Sequence, residues 1–246
     1  MIQSSWLPER IRRIDPNIIK SGDAQEGEGI SDSGQRYILK ASIGWHPLLP
    51  ASEWLCHGLA HYLHLPVPVW QHCILPDGRD AFGSRLESVT EREYWPTQRP
   101  VTDNPDVVSR TYVLDLFVGN ADRHHAQWLI TEAGGGRLLR PIDYSRAWFW
   151  RWPLKIPPFG PGTILAGNDR DNSHGYYAMA RAHGVLLTPE ALYCWDELRN
   201  MPKDAWKHIV GSVPPGWIPD TVAREMVNWW WSPQWMTRIK WIETQL

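Results

Sequence analysis

The sequence predicts an α+β protein in two unequal parts, a β-rich N-terminal portion carrying one helix and a larger, mainly helical C-terminal portion. Three observations lead there. Short β runs between glycine-bearing turns fill the first 50 residues, and apolar stripes at helical spacing begin near residues 52 and 104. A hairpin signal, Gly134-Gly135-Gly136, interrupts the second portion. With 246 residues the chain can form one large domain or two smaller units sharing a cleft. We set those units at residues 1–83 and 84–246.

The elements follow in order. Tyr37-Ile38-Leu39-Lys40 comes after the turn signal Asp32-Ser33-Gly34 and reads as a strand. Upstream, Lys20-Ser21-Gly22-Asp23 and Glu26-Gly27-Glu28-Gly29 are glycine-bearing stretches around another strand. A helix is expected with Ser52 as N-cap and Glu53 in its first turn, where the macrodipole favours a carboxylate. Leu55, Leu59 and Leu63 are its apolar stripe, and Leu65-Pro66-Val67-Pro68 stops it. Residues 69–75 and 79–82 form a hairpin around Pro76-Asp77-Gly78, with Phe82-Gly83-Ser84 ending that sheet. Residues 84–104 are polar and proline-punctuated, a linker by composition. A second helix takes Asn104 as cap and Pro105 at its first position, buries Val107, Leu114 and Val118, and stops at Gly119. Residues 128–131 and 137–142 flank the triple glycine as hairpin strands. Residues 153–172 read as a long loop, and the rest as helix.

Composition narrows the function classes. A net charge of -2 provides no bulk electrostatic footprint for nucleic acid or an anionic membrane. Three scattered cysteines, Cys56, Cys73 and Cys194, argue against a disulfide framework and against a CxxC metal or redox pair. No apolar run approaches the roughly 20 residues that span a bilayer, and the first 13 residues are too polar for a secretory signal. A cytoplasmic protein is the expectation. Tryptophan is over-used, with 17 in the chain, clustered at Trp148, Trp150 and Trp152 and again at Trp229, Trp230, Trp231, Trp235 and Trp241. Such rings serve either a helical core or a docking surface; their helical spacing favours the core.

Chemistry concentrates around the second hairpin. Asp122 lies in the turn leaving a helix, Gln127 begins the first hairpin strand, and Asp143 follows the second. A hairpin returns its ends to one place, so two carboxylates and an amide converge at one edge. Phosphoryl transfer asks for that: metal-bound phosphates, an oriented nucleophile and charge compensation. Protein kinases add a strand lysine paired with a helix glutamate. Lys40 ends a strand here, and Glu53 opens the next helix.

Two longer stretches carry a family resemblance: Asp115-Leu116-Phe117-Val118-Gly119-Asn120-Ala121-Asp122-Arg123-His124, and Pro141-Ile142-Asp143-Tyr144-Ser145. With Tyr37-Ile38-Leu39-Lys40 and the glutamate-bearing helix, they resemble the HipA-like kinases, whose catalytic signature also occurs in phosphatidylinositol 3- and 4-kinases. The likeness covers roughly residues 18–150. It implies a bilobal protein kinase-like fold, with a β-rich N-lobe and a helical C-lobe, and an ATP- and Mg²⁺-dependent phosphotransferase. The acceptor implied is a protein serine or threonine, and an antitoxin-like protein is an implied partner; neither membrane nor nucleic acid is expected to bind directly. By the same resemblance Lys40 contacts the ATP phosphates with Glu53 holding it, Asp122 orients or deprotonates the attacking hydroxyl, and Gln127 and Asp143 bind magnesium. Ser21 and Gly22 then lie over the phosphates, while Phe82, Gly83, Ser84 and Arg85 fall near the adenine.

Two departures keep a second reading open. The family's amide is Asn where Gln127 stands, and the glycine of its Ile-Asp-x-Gly motif is Ser145. A longer amide moves the ligating oxygen by about 1 Å, and losing glycine can stiffen a backbone position that needs positive φ. The alternative is a pseudokinase, a nucleotide-binding or interaction module docking through its tryptophans. Other polar groups are read mainly as structural: Arg123 and His124 as loop-packing groups, His57, His61 and His64 as solvated or capping rather than a metal face, and Asp169, Arg170, Asp171, Asn172 and His174 as a solvated loop in preference to a substrate contact.

Overall fold

A computed structural model describes residues 7–15, 27–42, 44, 46–86, 89–133, 135–147 and 172–246. The β-rich portion is a closed five-stranded barrel of β1 (Glu9–Asp15), β2 (Gly27–Ser31), β3 (Arg36–Ala41), β4 (Trp70–Ile74) and β5 (Asp80–Arg85), in spatial order β1-β2-β3-β5-β4. Neighbours pair antiparallel except β1 and β4, which close the barrel in parallel with Glu9 opposite Cys73. Inside lie Ile11, Tyr37, Leu39, Ala41, Cys73, Leu75 and Ala81. So narrow a barrel has no room for a side chain at every inward position. A Cβ built at Gly83 overlaps Cys73 Sγ, and one at Gly29 overlaps Leu39 Cδ1. Gly83 therefore sits inside β5, which runs on to Arg85, rather than ending the sheet.

Helix α1 (Leu49–Tyr62) starts earlier than expected, with Leu48 as N-cap and a proline in the first turn. Ser52 and Glu53 lie inside it and are buried. Its other side meets α2 (Val107–Val118), nearly all of whose residues are buried, so α2 has no solvent-facing stripe. Asp106, rather than Asn104, precedes the first turn of α2. Asn104 instead clips the hairpin: its Nδ2 donates to Leu139 O at 2.8 Å and its Oδ1 accepts the Leu139 N–H at 3.0 Å. Gly119 closes α2 in the left-handed conformation, φ 61°, as its position suggested.

The expected hairpin is β7 (Trp128–Ala133) with β8 (Gly136–Pro141). The supposed linker adds a third strand, β6 (Val89–Glu91), to its edge. After the segment 148–171, which lies outside the described residues, five helices follow: α3 (Asn172–Ala182), α4 (Thr188–Arg199), α5 (Lys203–Gly211), α6 (Asp220–Trp229) and α7 (Pro233–Glu243). Trp148, Trp150, Trp152 and the loop expected there fall outside that description as well.

The C-terminal tryptophans are core. Trp206 and Trp230 stack at 4.9 Å, and their ring N–H groups donate to the Met226 and Met201 carbonyls. Trp229, Trp235 and Trp241 are buried beside them, whereas Trp231 is 57% exposed. All three cysteines are free and buried. Among the described residues no helix is long and apolar enough to cross a membrane.

Gly83→Ala is expected to destabilise the protein by about 1–3 kcal/mol, since the added methyl overfills the barrel. Urea denaturation measures it; an unchanged midpoint would show that Cys73 yields freely.

Candidate active site

Two side-chain groups converge where the barrel, α1 and the hairpin meet. In the first, Lys40 Nζ donates to Glu53 Oε1 at 2.5 Å and to Asp143 Oδ1 at 2.6 Å. Strand β3 delivers the lysine, α1 the glutamate, and the chain leaving β8 the aspartate. Glu53 Oε1 also accepts the Tyr144 N–H at 3.0 Å, which ties the helix carboxylate to the backbone beside Asp143. Burial disfavours the Lys40 ammonium, yet Asp143 and Glu53 outweigh it and raise its pKa. Burial would likewise raise Asp143, but Lys40 and the Ser145 N–H hold it below the usual carboxylate range. Glu53 goes the other way: burial raises its pKa, against the pull of Lys40.

Asp143 is itself left-handed, φ 63°, and its Oδ1 accepts the Ser145 N–H at 3.1 Å. A short carboxylate bonding two residues on is what lets an Asp tolerate that region. Positive φ falls on Asp143 and not on Ser145, so the serine in place of glycine introduces no such strain.

The second group is Asp122 and Gln127. Asn172 Nδ2 donates to Asp122 Oδ1 at 2.7 Å, and Gln127 Nε2 lies 3.4 Å from Asp122 Oδ2. Gln127 Oε1 is buried and has no hydrogen-bond partner among the described residues. The His124 ring accepts the Ala126 N–H; burial lowers its pKa, against the charges of Asp122 and Asp143.

Arg123 fastens the arrangement. Fully buried, it forks onto Asp115 with Nε at 2.8 Å and Nη2 at 3.0 Å, while Nη1 donates to the carbonyls of Gln127 (3.1 Å) and Ile142 (2.5 Å). Asn120 Nδ2 and the Tyr177 hydroxyl complete the Asp115 carboxylate at 3.1 and 2.6 Å. Ser173 accepts the Arg123 N–H at 2.7 Å and donates to Asn120 O at 2.6 Å, docking α3 onto the loop. Arg123 is thus structural, as its place at a helix end suggested.

The structure therefore brings together Lys40, Glu53, Asp122, Gln127 and Asp143. Ser21 and Gly22 lie outside the described residues, as do Asp169, Arg170 and Asp171. Phe82, Gly83, Ser84 and Arg85 occupy β5, where Phe82 pairs with Lys40 on one side and His72 on the other. That strand has ladder partners on both edges and turns the Phe82 ring onto His57. His57 is buried rather than solvated, with Nδ1 at 2.9 Å from Glu53 O; His64 falls beyond the helix, so the three histidines share no face. Among the described residues no cluster of three acids, histidines or cysteines could hold a metal alone. Sequence reading overlooked Asp115, Ser173 and Tyr177, and took Asn172 for a loop residue. Asp115 sat in the quoted motif, but its role shows only when Tyr177 and Arg123 close on it.

No protein-family model matches the chain. Over 97 residues it is 31% identical to phosphatidylinositol 4-kinase gamma 4 of Oryza sativa subsp. japonica, a match covering 34% of this chain and only 16% of that protein. Among solved structures, the proinflammatory kinase CtkA of Helicobacter pylori is similar across 95% of both chains, with TM-score 0.59 and 13% identity. HipA of Shewanella oneidensis MR-1, solved with HipB and its operator DNA, is similar over 83% of this chain and 57% of its own, with TM-score 0.54 and 12% identity. The chain has a mixed α+β, HipA-like kinase fold, as its motifs implied.

Asp115→Asn leaves the buried Arg123 charge unbalanced and is expected to cost about 3–5 kcal/mol; denaturant unfolding reads this, and a loss under about 1 kcal/mol would refute the anchoring role. Burial pushes the His57 pKa down to about 3 from 6.5. Across that window the unfolded chain takes up a proton that the folded protein refuses, so stability falls as pH drops below about 6.5. His57→Leu should flatten the dependence of the unfolding midpoint on pH between about 6.5 and 4; an unaltered slope would assign it to other groups.

Proposed function

We propose that the protein is an ATP- and Mg²⁺-dependent phosphotransferase acting on an alcohol hydroxyl, specifically a serine or threonine of a protein. The observation that carries this reading is the Lys40 ammonium held between Glu53 and Asp143, beside the Asp122–Gln127 pair. Lys40, kept cationic by two carboxylates, would bind the ATP phosphates, with Glu53 fixing its direction. Asp122, steadied by Asn172, would orient the acceptor hydroxyl and accept its proton as the oxygen attacks.

The residues present suit magnesium. The partnerless Gln127 Oε1 and the Asp143 carboxylate are hard oxygen donors, and two protein ligands suffice when phosphate oxygens and water complete the shell. Bound there, the ion would neutralise phosphate charge. In this reading residues 1–83 form an N-lobe and 84–246 a C-lobe, with β5 straddling the boundary. By the family resemblance Ser21 and Gly22 would cover the phosphates, and Phe82, Gly83, Ser84 and Arg85 would fall near the adenine. An antitoxin-like protein partner and a cytoplasmic setting belong to the same proposal.

The match to a phosphatidylinositol 4-kinase favours a second acceptor class, a lipid hydroxyl. Incubating the protein and γ-labelled ATP with cell lysate, and separately with phosphatidylinositol vesicles, distinguishes the two. Label on protein supports the leading reading, and label on lipid alone replaces it. Nucleotide binding without any transfer would make the chain a pseudokinase. Asp122→Ala is expected to lower transfer by about 10²–10⁴-fold with ATP binding kept, and Asp143→Asn to weaken Mg²⁺-ATP binding. Gln127→Asn should preserve or raise activity; a large loss would show that the longer amide is required.

A further inference from the structure

The helix that carries Glu53 is held from behind by the C-terminal helices. Gly58, five residues beyond Glu53, faces Ile209 of α5 so closely that a Cβ there would lie 2.7 Å from Ile209 Cγ2. That atom belongs to a β-branched side chain with little freedom to turn away. One turn earlier, Trp54 Nε1 donates to the hydroxyl of Ser212, the residue that ends α5, at 3.0 Å. The same hydroxyl donates back to Ile209 O at 2.7 Å, so the contact is fixed at both ends.

Trp217, in the connection from α5 to α6, packs edge-on against Trp54 at 5.7 Å and against the His72 ring of β4 at 5.2 Å. One side chain from the C-terminal region thus touches both the glutamate-bearing helix and the barrel. From there aromatic contacts run without a break towards the site. Trp54 meets Trp70 at 6.3 Å, Trp70 meets His57 at 5.4 Å, and His57 meets Tyr144 at 5.6 Å. Tyr144 is the residue whose N–H binds Glu53 Oε1.

We infer that Trp217 and Ser212 are positioning residues that hold α1 where Glu53 reaches Lys40. On this account the 203–219 segment does not merely fill the core. It sets the Lys40–Glu53–Asp143 geometry with no requirement for an outside partner. The consequence for phosphotransfer rests on the reading in the preceding subsection; the effect on Lys40 does not, so the two fail separately.

The test is amine labelling of the intact protein without nucleotide, resolved lysine by lysine by mass spectrometry. Lys40 is 4% exposed and locked between carboxylates, so it should label slowly. Trp217→Ala is expected to raise its rate by about three- to tenfold, in line with losing one aromatic pair, and Ser212→Ala by a smaller factor. Trp241→Ala, a buried ring on α7, serves as the control: it should lower the melting temperature and leave Lys40 labelling unchanged. Should Trp217→Ala fail to fold, Trp54→Phe keeps an aromatic ring, though a smaller one, and removes the N–H that Ser212 accepts. Unchanged Lys40 labelling in Ser212→Ala and in whichever tryptophan variant folds would overturn the inference. So would an equal rise in Trp241→Ala, which would reduce the effect to general loosening. If transfer activity is present, the Trp217 and Ser212 variants should lower kcat with the acceptor KM unchanged.

Discussion

The Arg123 guanidinium, fully buried, bonds to three separate pieces of the chain at once. It meets Asp115 in α2, the Gln127 carbonyl where β7 begins, and the Ile142 carbonyl where β8 has ended. A buried charge costs several kcal/mol in lost hydration, and the loss is offset only when every donor and acceptor is used. Here most are: each of the three arginine nitrogens donates, and Asp115 takes two arginine donors, an amide and a phenol. The loop carrying Asp122 and the chain carrying Asp143 are both strung from that one group, so neither can move without breaking buried charged hydrogen bonds.

The Lys40 triad depends on this frame from one side and on α1 from the other. Asp143 arrives in a left-handed conformation because Ile142 is pinned by Arg123 and Ser145 closes an Asx turn behind it. Glu53 arrives because α1 is packed between the barrel, α2 and α5. Three ionisable groups then share two hydrogen bonds around one ammonium. The Lys40 charge is thus compensated and its direction fixed by two carboxylates from separate elements.

Much of this was legible before any coordinates. The turn at Gly119, the triple-glycine hairpin, the hairpin at Gly78 and the pairing of Lys40 with Glu53 all follow from local signals or from motif spacing. Boundaries were less legible. Asn104 has the chemistry of a helix cap, but its amide matches a strand edge equally well, and the nearby Leu139 backbone won. Ser52 looks like a cap in isolation; burial of α1 on several sides extends the helix past it. Gly83 resembles a strand terminator until the barrel closes around it and shows that glycine is there for lack of space. His57 seemed a surface group because its helix already had an apolar stripe, whereas α1 is buried over most of its circumference.

The sequence by itself determined which side chains make up the candidate site, since the order of lysine, glutamate, aspartate, amide and aspartate around a hairpin is a one-dimensional pattern. It also determined where the chain turns, because glycine, proline and asparagine act within a few residues. Only the tertiary structure decided which groups hold the catalytic candidates still. Asp115 meets Tyr177 across 62 positions, and Trp54 meets Ser212 across 158. Contacts of that range leave no periodicity or spacing behind them, because they arise when separate elements close on one core.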